Sequence, residues 1–137
     1  METSRVTPQN ITQLAPNEVF VFGSNTRGVH GKGAAKTARK WGAMMGEGFG
    51  HWGRTFAIPT LIYPGFRKRS LQAIQKDVEV FTQAAAYGHH RFLVTEIGCG
   101  LAGFTAKDIA PFFAGCVDLP NVTLPASFWR VLNQGRR

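Results

Sequence analysis

The chain has 137 residues, enough for one domain with its own core and too few for two domains of ordinary size. A hydrophobic content of 44% with 18% charged residues excludes a largely disordered chain, and two cysteines exclude a disulfide framework. Sixteen lysines and arginines against eight acidic residues leave a formal net charge of +8, which favours polyanions: nucleic acid, phosphorylated metabolites or acidic surfaces.

Residues 1–17 read as a polar lead-in, in which Pro8 and Pro16 break any helix and no apolar core of a signal peptide occurs. Val19-Phe20-Val21-Phe22 is an uninterrupted apolar run ending at Gly23, the pattern of a strand buried on both faces. A helix is predicted from Gly33 to about Met45, with Ala34, Ala35, Ala38 and Trp41 on one side and Lys36, Arg39 and Lys40 on the other. The glycine-rich stretch Gly46–Gly53 leads to a second strand, Thr55–Ile58, and Thr60–Arg69 reads as a loop carrying Arg67-Lys68-Arg69. Ser70 is the expected N-cap of the clearest helix, whose core stripe is Leu71, Ile74, Val78, Phe81 and Ala85, with Gly88 as its stop.

Phe92–Ile97 is predicted as a third strand running into a second glycine-rich loop. Thr105 and Asp108 resemble a capping pair for a helix that buries Ile109, Phe112, Phe113 and Cys116. Val122-Thr123-Leu124 is a last short strand, and Phe128, Trp129, Val131 and Leu132 dock the C-terminus, with Arg136-Arg137 trailing into solvent. Strands alternating with helices predict a three-layer α/β/α sandwich around a mainly parallel sheet. One domain is expected over residues 18–132, followed by a basic tail at 133–137. With no run near the roughly 18 apolar residues of a membrane span, and with Cys99 and Cys116 read as free thiols, a cytoplasmic location is expected.

In open α/β sheets, ligands sit beyond the carboxyl ends of the strands. Two strands here end in loops of small residues. The first holds Gly23-Ser24-Asn25 and then His30-Gly31-Lys32-Gly33-Ala34-Ala35; the second is Gly98-Cys99-Gly100-Leu101-Ala102-Gly103-Phe104. Glycine lets the main chain approach a ligand closely and permits a nest of N–H groups around an anion. Each loop is also expected to lead into a helix start with unpaired N–H groups. Two such ends on one cleft suit a pyrophosphate. A Walker-type loop is excluded, because Lys32 is followed by Gly33 where a hydroxyl residue is needed.

Ile97-Gly98-Cys99-Gly100-Leu101 resembles the corresponding loop of macro domains, in particular the branch containing the terminal ADP-ribose protein glycohydrolase; Gly31-x-Gly33-Ala34-Ala35 is similar to that branch's first loop. The resemblance spans roughly residues 18–130. It implies a macro-domain fold and an ADP-ribose cleft in which Gly98–Phe104 wraps the diphosphate. Phe104 and Gly31–Ala35 would flank the distal ribose, Asn25 would meet its hydroxyls, and Thr60 would join the ligand-binding set. No metal or further cofactor is implied. The branch's catalytic lysine and aspartate positions read Leu61 and Ala102, so its mechanism does not carry over.

Three functions follow as expectations. The first is binding of ADP-ribose or a related NAD-derived nucleotide, free or on a macromolecule. The second is an ADP-ribosyl hydrolase or phosphoesterase with relocated groups, for which His30 and Lys32 are the candidates and Cys99 a weaker one. The third is a basic nucleic-acid-binding domain using Arg67-Lys68-Arg69, Arg136-Arg137 and aromatics such as Phe66 and Trp129.

Overall fold

The computed structural model describes residues 5–134. In chain order the elements are β1 (Glu18–Asn25), α1 (Gly33–Ala38), β2 (Gly50–Trp52), β3 (Thr55–Ile62), β4 (Arg67–Lys68) and α2 (Leu71–Tyr87). They continue with β5 (Arg91–Val94), α3 (Ala106–Ile109), β6 (Val122–Thr123) and α4 (Ala126–Gln134). Five strands form the sheet path β2-β3-β1-β5-β6, and β4 adds to β3. The β1–β3, β1–β5 and β5–β6 pairs are parallel, while β2 and β4 are antiparallel to β3.

β1 lies inside the sheet with both faces covered, which is why its apolar residues run consecutively instead of alternating. Val19 and Val21 join the larger core, together with Phe56, Ile58, Phe92 and Val94 from the neighbouring strands. Phe20 and Phe22 point into a smaller cluster with Ala38 and Ala57, against which Ala35 and Trp41 pack. Helices α2, α3 and α4 cover the first face and α1 covers the second, giving a three-layer α/β/α arrangement.

Helix α2 follows its sequence pattern except at its first residue, since Leu71, expected in the core stripe, is exposed. Ile74, Val78, Phe81 and Ala85 are fully buried, and the Ser70 hydroxyl accepts the Ala73 N–H at 3.1 Å. Phe81 is the hub of this face, with Phe56, Phe92 and Phe113 rings packed edge-on around it at 5.1, 5.4 and 6.1 Å.

Several boundaries differ from expectation. The helix expected from Gly33 to Met45 ends at Ala38 and tightens into a 3-10 turn over Arg39–Trp41, because Gly42, at φ 105°, reverses the chain. Segments read as loops contribute edge strands β2 and β4. The third strand stops at Val94, because the Thr95 N–H and hydroxyl both turn back to the Val21 carbonyl, at 3.1 and 2.8 Å. The lead-in is not free: Val6 bridges Leu124, with Thr7 N–H donating to the Leu124 carbonyl at 2.9 Å. Val131 and Leu132 lie on α4 as partly buried residues, whereas Arg136-Arg137 fall outside the described residues. No helix among the described residues is long and apolar enough to cross a membrane.

The N-terminal segment is held mainly by Arg5. Its guanidinium donates to the carbonyls of Cys116, Val117, Leu119 and Val122 at 2.7–3.2 Å, while its own carbonyl accepts the Trp129 indole N–H at 2.9 Å. Its charge also lies 5.1 Å from the Trp129 ring centre. Arg5→Ala strands these carbonyls, and urea denaturation is expected to register a loss of about 2–4 kcal/mol. A loss below about 0.5 kcal/mol would show that water replaces the guanidinium freely.

Candidate functional site

A cleft of about 490 Å³ opens at the carboxyl ends of β1 and β5. These strands are parallel neighbours whose connections leave toward opposite faces, β1 to α1 and β5 to α3, the arrangement that leaves a crevice in open α/β sheets. The two glycine loops touch there. A Cβ added to Gly23 would sit 3.4 Å from the Gly98 nitrogen and 3.6 Å from the Thr60 hydroxyl.

Most of the residues singled out in the sequence line this one space. Gly23, Ser24 and Asn25 contribute from the end of β1, Gly31, Lys32, Gly33, Ala34 and Ala35 from the first loop, and Thr60 from β3; Gly98, Gly100, Leu101 and Ala102 contribute from the second loop. The amides of Gly31 through Ala35, and those of Gly98, Gly100, Leu101 and Ala102, donate to no acceptor among the described residues. At Gly31, Gly33 and Gly100 a Cβ would project into open space. The main chain is therefore bare toward the cleft.

Other expectations are corrected. Helix α3 offers no open N-terminus: Thr105 and Asp108 close a capping box, with Thr105 N–H on the Asp108 carboxylate at 2.9 Å and Asp108 N–H on the Thr105 hydroxyl at 3.3 Å. The second wall thus presents loop amides, not a helix end. Asn25 lines the cleft, but its side chain spans its own loop. Its oxygen accepts from Arg27 and Val29 N–H, and its amide donates to the Val29 carbonyl. Three residues expected on the ligand side do not line the cleft. Phe104 is a core residue, 8% exposed, with the Lys68 ammonium 4.9 Å from its ring centre. Lys68 also donates to the Gly103 carbonyl at 3.2 Å, bracing the loop from behind. Cys99 is half-buried, its thiol facing the Ile97 carbonyl at 3.6 Å.

The catalytic candidates separate clearly. His30 is fully buried away from the cleft, edge-on to Phe22 at 5.4 Å, with Nε2–H donating to the Met44 carbonyl at 3.0 Å. Burial holds its imidazole below the usual value of 6.5, outweighing its backbone hydrogen bonds. Lys32 is exposed and, among the described residues, is the one cation on the cleft wall. Burial, reinforced by the charges of Glu96 and Asp108, pushes the Cys99 thiol up to about 11, so it is protonated at neutral pH. Leu61 and Ala102 are buried apolar residues at the cleft, and Leu61 and Ala102 supply no acid or base.

Sequence reasoning missed the β3–β4 hairpin turn, which brings Tyr63, Gly65 and Phe66 to the cleft mouth, with Phe66 64% exposed. It also missed Glu96, which reading Phe92–Ile97 as one strand hid. Val29, Thr95 and Ile97 complete the walls. A second cavity of about 520 Å³ lies alongside, between Val6–Gln9 and the start of α4, and it shares Thr95 and Glu96 with the first. The basic loop is partly committed: Arg69 pairs with Asp77, and Lys68 is held as described. Trp129, named with that loop as a nucleic-acid contact, is buried. No group of three or more potential metal-ligating side chains occurs among the described residues.

No family model, no curated protein and no solved structure matches the chain.

Gly98 has φ +79°, and a Cβ there meets the Phe104 ring at 3.2 Å. Gly98→Ala is expected to destabilise the fold by about 2 kcal/mol, whereas Gly100→Ala should change stability by less than about 0.5 kcal/mol; thermal or urea unfolding compares them. Labelling with a thiol reagent checks the second expectation. Cys99 should react slowly at pH 8 and accelerate as the pH rises toward 11, and rapid labelling at pH 7 would contradict its protonated state.

Proposed function

We propose that the protein binds ADP-ribose, or a related NAD-derived nucleotide or ADP-ribosyl group, in the cleft beyond β1 and β5. The observation that carries this reading is the pair of bare amide walls facing one space: Gly31–Ala35 on one side, Gly98 and Gly100–Ala102 on the other. A diphosphate supplies several acceptor oxygens within a short span, and converging backbone N–H groups are suited to hold it. The lining between the walls, Leu61, Ala102, Ile97 and the aromatic turn, suits the less polar parts of a nucleotide. A second cavity adjoins this one, with Thr95 and Glu96 lining both.

The resemblance of Ile97–Phe104 to the macro-domain loop supports the same ligand class. Binding is favoured over turnover because most of the groups considered for turnover are withdrawn from the cleft or inert. His30 is buried off the cleft, Cys99 is protonated, and Leu61 and Ala102 are inert. A cytoplasmic location accords with an NAD-derived ligand and two free thiols.

Calorimetric titration with ADP-ribose tests this reading. One molecule is expected to bind per chain, to bind more tightly than ribose phosphate, and to raise the unfolding temperature in proportion to its saturation. Absence of heat and of any thermal shift at millimolar ADP-ribose would overturn it.

A further inference from the structure

The two cavities share Thr95 and Glu96 as lining residues, and among the described residues Glu96 is the only carboxylate lining either of them. It follows the turn that Thr95 makes onto the Val21 carbonyl, so its backbone is fixed by the end of β5. Its side chain is fixed as well, because the Ser127 hydroxyl at the start of α4 donates to Oε2 at 2.6 Å. Glu96 enters no ion pair among the described residues. Arg130, the one cation lining the second cavity, stands three residues beyond Ser127 on the same helix.

An ionised carboxylate accepts hydrogen bonds and donates none. Elsewhere the groove offers N–H donors to an anion, whereas at this junction it offers a negative acceptor. A molecule extending from the amide walls into the second cavity therefore has to present hydroxyl or amine donors where it passes Glu96. Glu96 is exposed, and a phosphate brought against it is disfavoured by like charge at close range, an effect that salt weakens. With Ser127 occupying one oxygen, Oε1 remains for a donor on the ligand.

We propose that Glu96 is the specificity-determining residue of this groove: it accepts hydrogen bonds from the vicinal hydroxyls of a ribose lodged between the two cavities and rejects nucleotides phosphorylated on that ribose. The ligand class is thereby narrowed to NAD-derived molecules, with NADP-derived ones excluded. This inference rests on the nucleotide reading of the same cleft. Ser127 acts through Glu96 as a positioning residue.

Calorimetry on the full chain, with ADP-ribose and with 2′-phospho-ADP-ribose, tests the assignment. The unmodified protein is expected to prefer ADP-ribose by roughly tenfold or more, the size of a hydrogen bond to a charged group. In Glu96→Gln the gap should shrink to roughly threefold or less, through tighter binding of the phosphorylated ligand. A merely structural loss weakens both ligands, so this gain separates specificity from folding. Ser127→Ala should narrow the gap by a smaller amount. If ADP-ribose binds but the two ligands are not distinguished, or if Glu96→Gln leaves the gap unchanged, the role of Glu96 is overturned and the nucleotide reading survives. Preference for the phosphorylated ligand would assign the junction to Arg130 and likewise overturn the role of Glu96. Failure of both ligands to bind overturns the nucleotide reading and this inference with it.

Discussion

The cleft depends on the parallel seam between β1 and β5. Because β1 is buried on both faces, its chain can leave only at the sheet's carboxyl edge, and the same holds for β5 beside it. The two exits diverge: α1 settles over Phe20 and Phe22, while α3 and the following 3-10 stretch carry Ile109 and Phe113 into the larger core with Ile97. Small residues at the crossing let the loops touch before they part. A Cβ at Gly23 would stand 3.4 Å from the Gly98 nitrogen, at van der Waals contact, so the first loop lies directly against the second. That closeness brings two sets of amides to a single space.

Both loops are held from the side away from the cleft. Behind the first runs the segment at residues 44–48: Gly46 N–H donates to the Gly28 carbonyl at 2.9 Å, the Ser24 hydroxyl to the Gly48 carbonyl, and His30 to the Met44 carbonyl. At Gly28, φ is +67° and a Cβ would fall 2.3 Å from the Glu47 nitrogen, so only glycine permits this closeness. The second loop is braced by Lys68 on Gly103 and Phe104, and by the Thr105–Asp108 box. Many polar groups facing the protein are thus bonded, His30 Nδ1 excepted, while the amides lining the cleft are left open. A loop ordered in advance loses little freedom when a ligand arrives, and more of the contact energy appears as affinity.

This division also explains what the sequence made legible. β1 and α2 could be read because a doubly buried strand and a core-facing helix each impose a local pattern, and Thr105 with Asp108 is a local signature too. The two glycine loops could be found because their composition is itself the property that matters. Long-range devices left no such trace: nothing near Arg5 or Thr7 announces pairing with residues 116–124, and nothing near His30 announces burial against Phe22. Glu96 was concealed for a related reason. The expected strand continues through Ile97, but the element ends at Val94, three residues earlier, where the Thr95 hydroxyl bonds the Val21 carbonyl.

The net charge of +8 and the bare amides of the cleft have separate origins. Among the described residues, Lys32 is the one cation lining the first cavity; Lys36, Arg39 and Lys40 lie exposed along α1 and its 3-10 turn. In the proposed complex, a diphosphate would be held mainly by neutral N–H dipoles whose directions the backbone dictates. Such donors need no side-chain ordering and are satisfied by an acceptor at defined positions, whereas flexible ammonium groups attract any anion and are screened by salt. In that complex a chain this basic would gain selectivity from a cleft lined with amides in place of cations. Under the role proposed for Glu96, its carboxylate would sharpen the selection further, because the ligand would have to change from acceptor to donor between Gly98 and Ser127.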